Sequence, residues 1–556
     1  DFDEKYIQYN YTNESANAVM PLCGYYKKIA IDGSLISTAT AVGLTLYQDF
    51  SNLTELTAWN NYKQFFNRNY LVEMRGYNDG ADIHGMSCLR DFAVWTNAFV
   101  FWTGANDSTR LNFLDYQFDD SMKLGWGVGS EDQHVGQASS ESVASIPSDW
   151  SISLTLHASI PVPQEELRVR NHLSYRDIVW QNKHYATFIM SDGDNLQWTS
   201  RDFWTNSNYW ASSYRGQFNM GWSLPPSLEE LVPIAFRYGC RTATYDPVDG
   251  IRGSGSGRRD CFVFGVSGQG YYYPDTYGVN DGGVPNYSLT LNAQRTGNAM
   301  KRTGINILMV SILNSVSYSN MAYFAPYANG YDRLLGICAA TYSGAYKDNA
   351  GALYWIGADS DIPVEYYDRS LWEGFDTVSS IVNALNSGST DPSQSSAYTL
   401  INLHPWSLGT MSNVYSIVSQ LNANVCVVTP EEYFMIMRLR MKPNVTLNKY
   451  LARIDAKLDE LDGIDPPTTQ ALAKKQLARD YYNLALNNYN NSQWESCFNN
   501  AKLADQYTEE ARLSYLNVSR NGDTIVISFI PTPMQPMFHY DLSELYPTDI
   551  MMRVKQ

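Results

Sequence analysis

Cys261-Phe262-Val263-Phe264-Gly265-Val266, running on into Gly268-Gln269-Gly270-Tyr271-Tyr272-Tyr273-Pro274, is the stretch that decides the fold. A short apolar run bounded by turn residues reads as a buried strand. The two glycines allow a sharp turn or a close backbone approach. Three tyrosines then set amphipathic rings at the strand's mouth, where Pro274 fixes the exit and Asp275 adds a carboxylate. Such a mouth suits stacking against a sugar ring, and it equally suits a turn with aromatic packing.

Outward from this unit the same pattern recurs. Tyr185–Met190 ends at Ser191-Asp192, Phe218–Trp222 at Ser223 to Pro226, and Ile305–Ile312 at Asn314-Ser315. Leu334–Ala340 ends at Thr341-Tyr342-Ser343, and Ala352–Ile356 at Asp359, Asp361 and Glu365. Tyr398–Leu403 ends at His404-Pro405-Trp406, and Asn424–Val428 at Thr429 to Glu432. Helical stretches fall between them at Asn292–Arg302, Asp376–Leu385 and Met411–Leu421, and Ser227 with Glu230 has the form of a capping box. Strands alternating with helices predict an α/β fold, a (β/α) barrel of seven or eight units over residues 176–441. A doubly wound open sheet is the alternative. Polar and aromatic residues gathered just after the strands favour the barrel, which collects its active-site loops there.

The flanks read differently. Residues 1–175 mix helix and strand patterns and predict an N-terminal α/β accessory domain, with a helix over Leu53–Phe66 capped by Ser51 or Asn52. Residues 125–148 read as a loop whose Glu131, Asp132 and His134 form a solvated turn. Pro161-Val162-Pro163 suits a linker. Residues 442–556 predict a helical hairpin, Asn448–Leu461 and Thr468–Leu516 around Gly463-Ile464-Asp465-Pro466-Pro467, and a terminal strand over Asp523–Phe529.

With 556 residues, 44% hydrophobic and 17% charged, the chain is long enough for several packed cores. A net charge of −17 argues against nucleic acid and anionic membrane as partners, and no apolar run is long enough to span a bilayer. The 41 Tyr and 14 Trp suit a protein that stacks on sugars, or a large aromatic core. Seven cysteines show no C-x-x-C pair, so buried free thiols are expected, with one disulfide left open.

The motif Gly268–Pro274 resembles the signature of the bacterial GxGYxYP family, whose members are regarded as putative glycoside hydrolases. Met190 to Asn195, Gly221-Trp222, Tyr342-Ser343-Gly344 and His404-Pro405-Trp406 are similar to that family as well. The resemblance spans about Tyr185 to Tyr433 and implies a carbohydrate substrate. Together with the low charge and high Tyr and Asn content it implies export to the periplasm, cell surface or medium. A start at Asp1 rather than Met is compatible with a removed signal segment.

Asp192-Gly193-Asp194-Asn195 is the sharpest candidate for chemistry. Two carboxylates in one tight turn after a buried strand can face one cavity, each altering the other's pKa. The plain reading is an Asx turn. His404, at another strand end, joins Asp192 and Asp194 as a catalytic candidate. Asn195, Trp222, Tyr271, Tyr273, Asp275, Tyr342 and Trp406 are candidates for holding the sugar, with Gln197 and Trp198 at the same mouth. Glycosidic cleavage uses two carboxyl groups roughly 5–10 Å apart. A partner for the pair is sought among Asp246, Asp275, Asp359, Asp361, Glu365 and Glu373. A carbohydrate deacetylase would need metal-binding histidines, but only His404 and His539 follow Asp194 and no H-x3-H pair exists. No cofactor or metal is assigned, although an oxygen-ligated calcium stays open. The expectation is therefore a glycoside hydrolase acting by carboxylate acid/base catalysis on a poly- or oligosaccharide, with a non-catalytic glycan-binding protein as the alternative.

Overall fold

The computed structural model describes residues 3–76, 88–104, 108–127, 129–169, 173–244, 260–281, 286–314, 321–342, 349–463, 468–514, 516–521 and 524–529. Asp246, Ser343-Gly344, Ile464–Pro467, His539 and the side chain of Asp132 lie outside the described residues.

The N-terminal part carries two small sheets. Strands β1 (Lys5–Tyr9), β2 (Ile29–Asp32) and β3 (Thr45–Asp49) form a parallel sheet ordered β2-β1-β3. Strands β4 (Asn67–Glu73), β5 (Ala98–Phe101), β6 (Ser121–Leu124) and β7 (Val143–Ile146) form a second parallel sheet ordered β5-β4-β6-β7. Every residue of β5, β6 and β7 is buried, as expected of parallel strands covered on both faces. The helix in residues 53–66 runs Glu55–Tyr62 and is capped by Thr54, whose side chain accepts from Thr57 N, rather than by Ser51 or Asn52.

The stretch expected to be a loop over 125–148 instead holds the helix Glu131–Ser140 and strand β7. Its pattern hid the helix because the buried side is partly polar. His134 and Ser139 are buried beside Val135 and Ala138, with Ser139 Oγ donating to Val135 O.

The main sheet comprises β8 (His184–Met190), β9 (Met220–Leu224), β10 (Asp260–Phe264), β11 (Ile307–Ile312), β12 (Gly336–Thr341), β13 (Leu353–Ile356), β14 (Ile362–Tyr366), β15 (Arg369–Leu371), β16 (Tyr398–Leu403) and β17 (Val425–Val427). Its order is β13-β14-β12-β11-β10-β9-β8-β16-β15, with β17 alongside the start of β8. All pairings are parallel except β13 with β14. The sheet curls. β14 and β15 are consecutive, and the two residues between them turn to opposite neighbours: Tyr367 N donates to Ala339 O of β12, and Asp368 N to Leu400 O of β16.

Three expectations here need correcting. Asp359, Asp361 and Glu365 do not line a strand mouth: Glu365 lies buried inside β14, Asp361 pairs with Arg438 and Lys449, and Asp359 pairs with Lys449. Alternation there was masked by Pro363 and by the burial of every β14 residue. The Ser227–Glu230 capping box does not form, because Ser227 lies within the helix Ser227–Leu231 with its Oγ buried, while Glu230 pairs with Arg302 and Arg295. The C-terminal hairpin is a group of three helices, Pro443–Asp462, Thr469–Asn490 and Trp494–Leu513. The last two part at the Asn-rich turn around Ser492, which takes φ 55°.

Buried ion pairs from Lys457 to Asp505 and Glu509 tie the first of these helices to the third. The terminal strand (Thr524–Phe529) pairs antiparallel with Leu516–Asn521. All seven cysteines are free thiols, six of them buried. Among the described residues no helix is long and apolar enough to cross a membrane.

Candidate active site

At the carboxyl end of β8 the chain turns through Ser191-Asp192-Gly193-Asp194. Asp192 adopts φ 61°, a left-handed conformation that asparagine and aspartate tolerate better than most residues. Gly193 N donates to Ser223 Oγ at 2.9 Å, and a Cβ at this glycine would fall 1.9 Å from Ser223 O. Only glycine lets the turn press so closely on the end of β9. Asn195 N closes the turn onto Asp192 O at 3.1 Å, and the short helix Leu196–Thr199 follows.

This turn differentiates the two carboxyls. Asp192 accepts from Ser191 Oγ at 2.5 Å, and the Trp406 side chain also hydrogen-bonds to it. Burial raises its pKa, while His404 and these two hydrogen bonds oppose the rise. Asp194 lies well above the usual carboxylate range because burial, the charge of Asp192 and the charge of Glu131 all act in one direction. His404, at the end of β16, is lowered by burial, against the pull of Asp192. Its ring stacks on Trp372 with centroids 3.9 Å apart and planes at 13°. Its Nδ1 is buried with no hydrogen-bond partner among the described residues.

These groups sit in a cleft of ≈ 1070 Å³ whose other wall comes from the N-terminal sheet. The residues just after β4, β5, β6 and β7 all contribute: Arg75, Trp102, Trp126 and Trp150, with Glu131 and Asp149 as carboxylates. Two parallel sheets thus present their carboxyl ends to one space, the position at which such sheets bind ligands. Asp149 accepts from Trp126 N with both oxygens at 3.0 and 2.9 Å, and burial raises its pKa. Behind this wall Glu73 makes a paired contact with Arg110 and an ion pair at 2.9 Å with Lys123, all fully buried. Lys123 Nζ donates to Gly125 O and Trp126 O and so holds the loop that carries Trp126.

The glycine–tyrosine motif has a different role from the expected sugar-stacking rim. Tyr271 and Ser145 of β7 exchange two backbone hydrogen bonds, with Ser145 N to Tyr271 O at 2.8 Å and Tyr271 N to Ser145 O at 2.6 Å. Tyr273 N donates to Ser139 Oγ, Tyr277 OH to Ser142 O, and Tyr272 OH shares a 2.7 Å hydrogen bond with Tyr327 OH. The motif is a staple that fastens the second N-terminal sheet to the main sheet. Gln197 adds a second tie, with its N bonded to Pro147 O and its Oε1 accepting from Trp150 N.

Of the residues singled out from the sequence, Asp192, Asp194, Asn195, Tyr271, Tyr342, His404 and Trp406 line the cleft, as do Gln197 and Trp198. Trp222, Tyr273 and Asp275 do not. Trp222 is fully buried and donates to Asp260 Oδ1 at 2.8 Å. Tyr273 is fully buried behind Tyr271, whose hydroxyl reaches it at 3.3 Å. Asp275 accepts from Leu313 N and Asn314 N, which ties the end of β11. Strand-end position alone does not say which way a side chain points. Sequence reasoning missed Glu131, Asp149, Trp126, Trp150 and Trp372. The exposure of Trp150 and Trp406, at 54% and 53%, marks the rim. No sequence period could have signalled a wall built by a separate sheet.

Among the described residues no group of three or more His, Cys, Asp or Glu is arranged to hold a metal ion. Among curated proteins none matches this sequence. One solved structure with a similar fold, described as "a putative hydrolase from Bacteroides thetaiotaomicron VPI-5482", aligns over 78% of this chain and 79% of its own with a TM-score of 0.64 and 23% identity. Residues 182–438 match the domain described as "GxGYxYP putative glycoside hydrolase C-terminal domain", and residues 72–159 match the "GxGYxYP third domain". The two matches meet at the staple between Ser145 and Tyr271 and together take in more than half of the sequence, and the chain belongs to the GxGYxYP family.

Proposed function

We propose that the protein is a glycoside hydrolase that cleaves a poly- or oligosaccharide in the cleft between the two sheets. The observation that carries this reading is the unequal environment of Asp192 and Asp194. Asp194 is pushed up by burial and by two neighbouring carboxylates, while Asp192 has His404, Ser191 and Trp406 to favour its charge. The proton therefore resides on Asp194, which acts as general acid on the leaving oxygen. Glu131, contributed by the facing wall, supplies the second carboxylate that glycosidic cleavage needs. His404, braced on Trp372, positions Asp192. Trp150 and Trp406 offer exposed faces for the sugar.

In this reading the main sheet is a seven-unit (β/α) barrel closed through the continuous β14–β15 run. Residues 176–441 form the catalytic domain, 1–175 the N-terminal part that supplies the opposite wall, and 442–556 the helical buttress. We also propose an exported protein, a reading that rests on the Tyr-rich composition with its low fraction of charged residues.

The test is incubation of a glycan panel with wild type, Asp194→Asn and Glu131→Gln. Reducing ends released by wild type alone support the assignment. Glycan binding by all three proteins with no product from any would overturn it in favour of a non-catalytic binding protein.

A further inference from the structure

We propose a second ligand site at the opposite end of the main sheet's strands, for a sulfate or phosphate group either free or esterified to a sugar. It is a cleft of ≈ 570 Å³ at the amino ends of β11 and β12, roofed by the helices Pro443–Asp462 and Trp494–Leu513. That volume is within the range of small-molecule sites.

The charge of this cleft is opposite to that of the chain. Among the described residues that line it, seven are Lys or Arg and three are Asp or Glu, in a protein whose net charge is −17. The cations arrive from separate elements: Arg168 and Arg176 ahead of β8, Lys301 in the last turn of the helix Tyr287–Thr303, Arg333 ahead of β12, Arg438 on the helix Pro430–Met441, and Arg453 and Lys457 on the roof. The carboxylates nearby are heavily shared. Asp505 serves Lys457 at 3.2 Å, Arg176 at 3.5 Å and Tyr450 OH at 2.9 Å. Asp361 serves both Arg438 and Lys449. Glu431 is engaged by Asn306 Nδ2 at 2.9 Å and Leu173 N at 3.2 Å.

A second, independent observation is Arg438 Nε, a buried donor in the cleft wall with no hydrogen-bond acceptor among the described residues. Buried donors ordinarily have one. Converging guanidinium and ammonium groups suit a doubly charged anion with several acceptor oxygens better than a single carboxylate. Tyr175 and Tyr450, with ring centroids 5.3 Å apart, add an aromatic wall against which a sugar carrying that group would lie. The first cleft has the reverse balance, with Glu131, Asp149, Asp192, Asp194 and Asp202 against Arg75 and Arg201. An oxyanion is therefore repelled there and attracted here, and the proposal stands apart from the hydrolase reading.

Titration calorimetry at low ionic strength with inorganic sulfate, inorganic phosphate, glucose 6-sulfate and glucose 6-phosphate tests it. Wild type is expected to bind at least one of the four, and Arg453→Gln to bind it about tenfold or more weakly. Lys301 is exposed, so its replacement is expected to leave the fold intact, and Lys301→Gln, checked by its melting temperature, is the second variant and is expected to weaken binding in the same direction. Tighter binding of the sugar esters identifies an esterified ligand, and equal binding identifies the free oxyanion. No heat with any probe at about 10 mM, or affinities unchanged in both variants, overturns the site.

Discussion

Gly270→Ala puts the staple between the two sheets to the test. A Cβ at this position would lie 2.9 Å from Ser145 O, 3.1 Å from Ala144 Cβ and 3.1 Å from Ile146 Cγ1. Two of these neighbours are backbone or Cβ atoms of β7, which cannot swing aside as a long side chain could. Relief requires β7 to move away, and Ser145 O is the atom that accepts from Tyr271 N. Overpacking costs about 1–3 kcal/mol, and loss of the two backbone hydrogen bonds adds about 0.5–1.5 kcal/mol each. A loss of about 2–6 kcal/mol is therefore expected in the unfolding transition that releases the second N-terminal sheet. Denaturant titration followed by tryptophan fluorescence reads it, because Trp126 and Trp150 sit on the wall that would move. Glycan turnover should fall about a hundredfold, since a displacement near 1 Å of catalytic groups is enough for that. Gly33→Ala is the control, its nearest neighbour being 3.8 Å away. If Gly270→Ala unfolds with wild-type midpoints, or if Gly33→Ala loses as much, the motif is not a staple and the reasoning fails.

Three further outcomes follow from the same geometry. Glu73→Gln leaves Arg110 and Lys123 buried without their carboxylate and should destabilise by about 3–5 kcal/mol, read as a shift in denaturant midpoint. Asp368, pushed up to about 7 chiefly by burial, binds its proton more tightly in the folded chain than in the unfolded one. Stability should therefore fall as pH rises from about 4 to about 7, and Asp368→Asn should flatten that slope in melting curves taken across the range. Trp406→Ala and Trp150→Ala should each raise KM about tenfold. Only Trp406→Ala should also move the pH profile, because its loss removes a hydrogen bond that lowers the pKa of Asp192.

The strands of the main sheet were legible from sequence because both faces of a parallel strand are covered, so each appears as an unbroken apolar run ending in turn residues. The Asp192-Gly193-Asp194 turn was legible for the same reason, since two carboxylates directly after such a run have few places to go but the strand's open end. The roles of the residues after other strands were not. Tyr273 and Asp275 also follow a strand, and Trp222 lies within one, yet they face a staple, a neighbouring strand end and a core respectively. Alternation along a chain does not report what packs against it from far away in sequence. Glu131 makes the point most sharply. Its surroundings are polar and glycine-rich, so it reads as a solvated turn, and it reaches the cleft that holds Asp194 because its sheet is tied to the main sheet through Tyr271, Tyr273 and Gln197. Local periodicity thus determined which segments became strands, and the unusual glycines determined where backbones could touch. The unequal surroundings of Asp192 and Asp194, and the presence of Glu131 in the same cleft, were decided by tertiary structure. Burial and the approach of charges are properties of the space between chain segments, and no single segment encodes that space.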